Sequence, residues 1–182
     1  MLSGMFHLDE HSRMMADRPL WNLPMNSQTV SSTSTPTAAG PIYRRATSAD
    51  VPTMARIRLA VTENRLRDPS RVTLAMYEDF LEQDGRGWVA LIDGATVAFS
   101  YANRTDGSIW ALFVDPPHEG KGLARPLLAL ATDWLFSIGF EEVRLDTGAG
   151  TRADRFYARQ GWRRAAAEGS DVTFTLARSA PP

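Results

Sequence analysis

The chain of 182 residues contains no cysteine. That excludes disulfides, thiolate metal sites and a thiol nucleophile, although it does not decide the compartment. An excess of charge of either sign is also missing, since 20 Lys and Arg stand against 21 Asp and Glu. A formal net charge of −1 gives no global field to draw the chain to nucleic acid or anionic lipid. With no basic stripe either, no nucleic-acid partner is expected. Long apolar runs are absent. The longest, Leu127 to Ile138, carries Asp133 and is too short to span a bilayer, so no membrane partner is expected. The N-terminus shows no basic region followed by an apolar core, and a cytoplasmic location is the expectation.

What is present suits one globular domain: 43% of residues are hydrophobic and 23% charged. From Asn26 to Gly40, eight of fifteen residues are Ser or Thr. Such a stretch buries too little apolar surface to offset its ordering entropy. The expected organisation is a flexible extension over 1–40, a domain over 41–178 and a tail over 179–182.

A short strand begins at Ile42. Thr47 followed three residues later by Asp50 reads as a capping box, with Pro52 suited to a first helical turn. Val51, Met54, Ile57 and Val61 then share one helix face. A charged link follows over 62–71, then a short helix over Thr73 to Glu82. Gly87 to Ile92 and Thr96 to Ala102 are strands joined by Asp93-Gly94, a hairpin signal. Ser108 to Val114 is a third strand of this antiparallel meander. The loop 115–122 leads into a helix whose apolar residues Leu123, Leu127, Leu130, Ala131, Trp134, Leu135 and Ile138 are spaced by threes and fours, with Gly139 as its cap. Val143 to Thr147 is reached across that helix, so it should run parallel to Ser108–Val114. A helix over Thr151 to Gln160 and a strand over Val172 to Leu176 complete the chain.

The strand, glycine loop and helix start around Gly120 and Gly122 form an arrangement able to bind phosphate. The first amides of a helix lack intrahelical partners, its dipole is positive there, and glycines admit close approach. An ordinary glycine-rich helix start is the competing reading. Gly120-Lys121-Gly122 lacks the Lys-Ser/Thr ending of a nucleoside triphosphate loop and the three-glycine spacing of a dinucleotide fingerprint.

Two motifs carry a family resemblance. Val114-Asp115-Pro116 followed by Glu119-Gly120-Lys121-Gly122-Leu123-Ala124 is similar to the pyrophosphate loop of the GCN5-related N-acetyltransferase (GNAT) superfamily. Arg152 to Trp162, with Phe156-Tyr157-Ala158 and Gly161-Trp162, resembles that superfamily's second motif. The resemblance covers roughly Ile42 to Leu176. Val61-Thr62-Glu63-Asn64 and Asp68 to Thr73 also resemble one bacterial subgroup of the superfamily.

The resemblance implies an α/β chain of α+β type: a mixed, mostly antiparallel sheet of about six to seven strands with about four flanking helices, splayed between two parallel strands. It implies acetyl transfer from acetyl-CoA, with no metal, to a small-molecule or peptide amine. Main-chain groups of Leu112, Phe113 and Val114 would pair with the cofactor's pantetheine arm. The loop Glu119, Gly120, Lys121, Gly122, Leu123 and Ala124 would hold the pyrophosphate. Tyr157 would be the general acid that protonates the departing thiolate, the bland alternative being a packed helix tyrosine.

Two positions depart from the family pattern. Glu119 stands where the family has Gln or Arg, and Gly150 where Asn is frequent. The strand Ser108–Val114 carries no carboxylate, which leaves Glu63 and Asp115 as candidates for the general base, Asp115 reading first as a turn residue ahead of Pro116. Trp110 and Tyr101 are candidates to line the acceptor pocket or to be core. His118 is expected to be exposed. Arg65, Arg67 and Arg71 form either a carboxylate-attracting patch or a solvated loop. A catalytically degenerate module that binds acetyl-CoA for sensing or protein interaction is the alternative function. A homodimer is a possible assembly.

Overall fold

The structure, a computed structural model, describes residues 40–61 and 73–178. Apart from Gly40, the expected N-terminal extension lies outside them, as do Glu63, Arg65, Arg67, Arg71 and the tail. One seven-stranded sheet organises the rest. In chain order its strands are β1 (Ile42–Arg45), β2 (Gly85–Ile92), β3 (Ala95–Asn103), β4 (Ser108–Val114), β5 (Glu142–Gly148), β6 (Arg163–Arg164) and β7 (Asp171–Ala177). Across the sheet they lie in the order β1-β2-β3-β4-β5-β7-β6. The four helices are α1 (Val51–Ala60), α2 (Leu74–Asp79), α3 (Ala124–Ser137) and α4 (Arg152–Arg159). No helix among the described residues is long and apolar enough to cross a membrane.

Local chemistry accounts for the turns. Asp93 and Gly94 adopt φ values of 50° and 79°, the two left-handed residues of a tight hairpin between β2 and β3. Before α1, the Thr47 N–H and Oγ1 both donate to Asp50 Oδ2, at 2.9 and 3.0 Å. Arg44 completes the arrangement by donating two 2.7 Å hydrogen bonds to the same carboxylate. Burial by itself would raise the Asp50 carboxyl. The Arg44 guanidinium and the Thr47 donors outweigh it and hold the group at about 2.

The sheet separates two apolar layers. On one face Leu127, Ala131 and Leu135 of α3 pack with Ala98, Ile109, Val143, Leu145, Tyr157, Trp162 and Phe174. On the other, Val51, Met54 and Ile57 of α1 join Tyr77, Leu81, Val89, Phe99, Tyr101 and Ala111. The apolar spacing of α1 and α3 thus delivers one helix to each face, as amphipathic stripes do when a twisted sheet lies between them.

Three details differ from the sequence-based expectation. The second helix is shorter than Thr73–Glu82. Regular α-helix ends at Asp79 and a π-type turn continues over Phe80–Asp84 into β2, which starts two residues early at Gly85. A two-residue strand, β6, pairs with β7 at the sheet edge. In β4, Ala111 faces Tyr101 and Ile109 faces Ala102, so Trp110 is the extra residue of a β-bulge.

Asp50→Asn is expected to lower the unfolding free energy at pH 7 by about 1–3 kcal/mol, the usual loss for hydrogen bonds to a charged group. The folded carboxyl is depressed, so its stabilisation is fully present above the unfolded value of about 3.9 and fades as pH falls through about 2. Denaturant curves of the two proteins should therefore converge across that acid window.

Candidate active site

β4 and β5 are the parallel pair, and the register holds at one place only, Ser108 opposite Arg144. Beyond it the strands diverge. Leu112, Phe113 and Val114, all half-buried, lie on the part of β4 that has no paired residue on β5 among the described residues. A β-strand edge of this kind offers main-chain donors and acceptors to an extended ligand arm.

β4 runs directly into the glycine loop. After a 3-10 turn at Pro116–His118, Gly120 and Gly122 take φ values of 75° and 78°, a left-handed region that side chains other than glycine rarely adopt. A Cβ built on either would meet nothing within 4 Å, so the loop leaves open space at both positions. Leu123, only 2% exposed, anchors the end of the loop as α3 begins. No side chain caps that helix start, so its first amides are left for an outside acceptor. The open β4 edge, the unfilled glycine positions and the uncapped amides together fit a phosphate-bearing ligand with an extended arm.

Glu119 does not confront this site as a free anion. Arg152, the first residue of α4, pairs with its carboxylate at 2.7 Å. That hydrogen bond holds the Glu119 carboxyl below the usual range. Lys121 is exposed.

α4 is itself firmly placed. The Thr151 hydroxyl accepts from the Asp154 N–H at 3.1 Å, capping the helix. Asp154 in turn accepts from Gly150 N–H and, through both oxygens, from Arg164, at 2.7 and 2.9 Å. The Arg164 guanidinium, then the Gly150 amide, hold the Asp154 carboxyl at about 2. This clamp carries Tyr157 into a pocket formed by Phe156, Trp162 and Phe174, with ring centroids 5.2, 6.0 and 5.6 Å away. Burial pushes the Tyr157 phenol above the ordinary tyrosine range, so it holds its proton at neutral pH.

The chain from residue 52 to 162 matches the model of the acetyltransferase (GNAT) family. It belongs to that family. Solved structures show the same fold. An N-acetyltransferase from Staphylococcus aureus Mu50 is 14% identical, with a TM-score of 0.64, over 76% of this chain and 99% of that one. PaiA N-acetyltransferase from Thermoplasma acidophilum, solved in complex with coenzyme A, is 16% identical with a TM-score of 0.64 over 77% and 100%. YncA from Salmonella typhimurium, solved with its cofactor acetyl-CoA, is 21% identical with a TM-score of 0.61 over 79% and 99%. No curated protein sequence matches.

Within this GNAT frame the structure sorts the residues singled out from the sequence. Leu112, Phe113, Val114 and the loop 119–124 form one continuous stretch along the opened strand, and the Glu119–Arg152 pair joins that stretch to the start of the helix bearing Tyr157. Asp115 is 8% exposed and paired with Arg56 of α1 at 3.0 Å, while its N–H donates to Val97 O. It is a strap between β4, β3 and α1, in line with its turn reading. Tyr101 is fully buried with its hydroxyl donating to Tyr77 O at 2.8 Å, which makes it core. Trp110 stands on the bulge and stacks on Phe80 at 4.5 Å. His118, expected to be exposed, is half-buried, because the 3-10 turn folds its ring inward and leaves Nδ1 without a partner. Glu63 lies outside the described residues.

Two arginines carry no role in the sequence reading, Arg152 beside Glu119 and Arg58 over the Phe113 ring. Arg152 was hidden inside a motif read for its aromatic residues. Arg58 sits four residues after Met54 and three before Val61, on the apolar stripe of α1, and that position was the available signal.

Gly120→Ala and Gly122→Ala should each cost about 1–2 kcal/mol, because an L side chain must take the left-handed backbone although space for it exists. Urea unfolding of the two variants measures this. A loss near zero would mean the loop re-forms around a right-handed residue.

Proposed function

We propose that the protein transfers an acetyl group from acetyl-CoA to a primary amine by direct attack, with Tyr157 as general acid. The observation that carries this reading is the opened edge of β4 running straight into the uncapped glycine loop. Family membership and fold relatives solved with coenzyme A and acetyl-CoA support it. Acetyl-CoA supplies the activated acyl group as a thioester.

The residues then divide the work. Backbone N–H groups from Gly120 to Ala124 hold the pyrophosphate at the positive end of α3. Arg152 neutralises Glu119 there, so the pair leaves no net negative charge beside the loop. Main-chain groups of Leu112, Phe113 and Val114 align the pantetheine arm. The amine nitrogen bonds to the acyl carbon, the carbon–sulfur bond breaks, and Tyr157 gives its phenolic proton to the sulfur. A thiol is ordinarily the stronger acid, with a pKa of about 8.5 against about 10 for a phenol. A thiolate forming against the buried Tyr157 would be disfavoured by the same desolvation, which favours the transfer. Glu63, on the link between α1 and α2, is assigned the amine proton. Placing the amine against the thioester supplies the larger share of the rate.

Acetyl-CoA at about 100 times its dissociation constant should stabilise the protein by about 2.7 kcal/mol, read as a rise in Tm. Tyr157→Phe should retain that rise and lose about 10²–10⁴-fold in kcat over an amine panel. No rise with wild type sinks the reading. A rise with no turnover of any amine favours the catalytically degenerate binding module instead.

Arg152→Ala should weaken acetyl-CoA binding about tenfold, which is about 1.4 kcal/mol. Acetyl-pantetheine, which lacks the pyrophosphate, should bind the variant and the wild type alike in calorimetry. An equal loss on both ligands would make Arg152 a general structural residue.

A further inference from the structure

Among the described residues the most buried arginine is Arg58, and it meets no carboxylate. Arg44, Arg56, Arg152 and Arg164 each meet a carboxylate within 3.0 Å while keeping 39–56% of the side chain exposed. Arg58 is 5% exposed, and neither Nη1 nor Nη2 has a hydrogen-bond partner. α1 turns this side chain inward on the same stripe as Met54 and Ile57, both fully buried. Its Cζ lies 4.5 Å above the ring of Phe113. Tyr77, also in this layer, brings no negative charge. Burial holds its phenol at about 12, so it is neutral at pH 7.

A desolvated guanidinium with open donors is among the most unfavourable states a side chain can take, and a folded protein keeps one where something else completes it. The planar fork of donors matches a group with two coplanar oxygens, which is a carboxylate. Position then separates the acceptor from the cofactor. Phe113 packs into the α1 and α2 layer, whereas Leu112 and Val114 pack into the α3 layer to which the glycine loop leads. The Arg58 charge therefore lies across the sheet from the helix whose start is read as the pyrophosphate site. It is one ring away from the strand whose main chain aligns the acyl group.

We propose that Arg58 recognises the acceptor, and that the amine acetylated by this protein carries a carboxylate held by this guanidinium above Phe113. The inference rests on the acetyltransferase reading and deepens it by naming the substrate class.

The test compares wild type with Arg58→Met, which keeps the length and apolar body of the side chain but removes the charge. Without added ligand the variant should be as stable as wild type or melt about 2–4 °C higher, since removal of an unpartnered buried charge is neutral or stabilising. A lower Tm would assign Arg58 a purely structural role and overturn the proposal. Sodium acetate, set against sodium chloride at equal ionic strength, should raise the Tm of wild type and not that of Arg58→Met. Equal responses overturn the proposal without reference to acetyl-CoA.

Acetyl transfer is then measured on L-amino acids and dipeptides, each paired with its carboxamide. The expected result is at least a tenfold preference in kcat/KM for the acids, lost in Arg58→Met through KM. Preference for the amides, or transfer to neither member of any pair by a protein that binds acetyl-CoA, overturns it. Weaker acetyl-CoA binding by Arg58→Met would also overturn it, assigning the anion to the cofactor. Failure of acetyl-CoA to stabilise wild type strikes the acetyltransferase reading alone, and the acetate comparison still judges Arg58.

Discussion

The site depends on a single loss of pairing. β4 and β5 start as neighbours at Ser108 and Arg144 and then part. Parallel strands joined through a helix are held together by their ladder and by the layers packed on them. Here the ladder stops after one register position, and the two layers keep the sheet intact. α3 packs against β3, β4 and β5 from one side, and α1 and α2 close the other side of the meander. Open main chain is tolerated at the sheet centre because those layers carry the stability. The bulge at Trp110 belongs to the same construction. It lets β4 stay paired with β3 while bending away from β5.

Around that opening, arginine–carboxylate pairs staple the chain where regular structure ends. Arg44 with Asp50 holds the entry to α1, Arg56 with Asp115 the exit of β4, Arg152 with Glu119 the glycine loop, and Arg164 with Asp154 the start of α4. Each joins segments that no ladder connects. Each arginine is partly exposed, so the ion pairing by itself adds modestly beside the other hydrogen bonds to the carboxylates, but it chooses one geometry among several for a loop. The loop geometry is what the proposed chemistry would require, since it sets where the strand end and the helix start lie. Arg58 stands outside this scheme, buried where the others are half exposed and open where the others are closed.

Much of the fold was legible because its signals are local. The Asp93-Gly94 turn, the Thr47–Asp50 cap, the spacing of α3 and the glycine that ends it are fixed by residues within a few positions of each other. The glycine loop was legible for the same reason, as a strand and a helix start bracket it directly. The π-type turn after α2 was not. Its first residues, up to Glu82, read as plain helix, and the wider turn forms where that segment meets β2 and the Tyr101 and Trp110 rings. The two residues of β6 carry no strand pattern and pair only because β7 lies beside them.

The sequence by itself determined the family, the main strands and helices, the glycine loop and the tyrosine helix, because each is written in contiguous residues with their own backbone preferences. Tertiary structure alone decided the charges. Glu119 is neutralised once α4 brings Arg152 within 2.7 Å, 33 positions later in the chain. Asp115 is taken up by Arg56, 59 residues earlier, and Arg58 is left unpartnered where two layers meet. Electrostatic roles follow distance and burial, and a linear sequence specifies neither until the layers have packed.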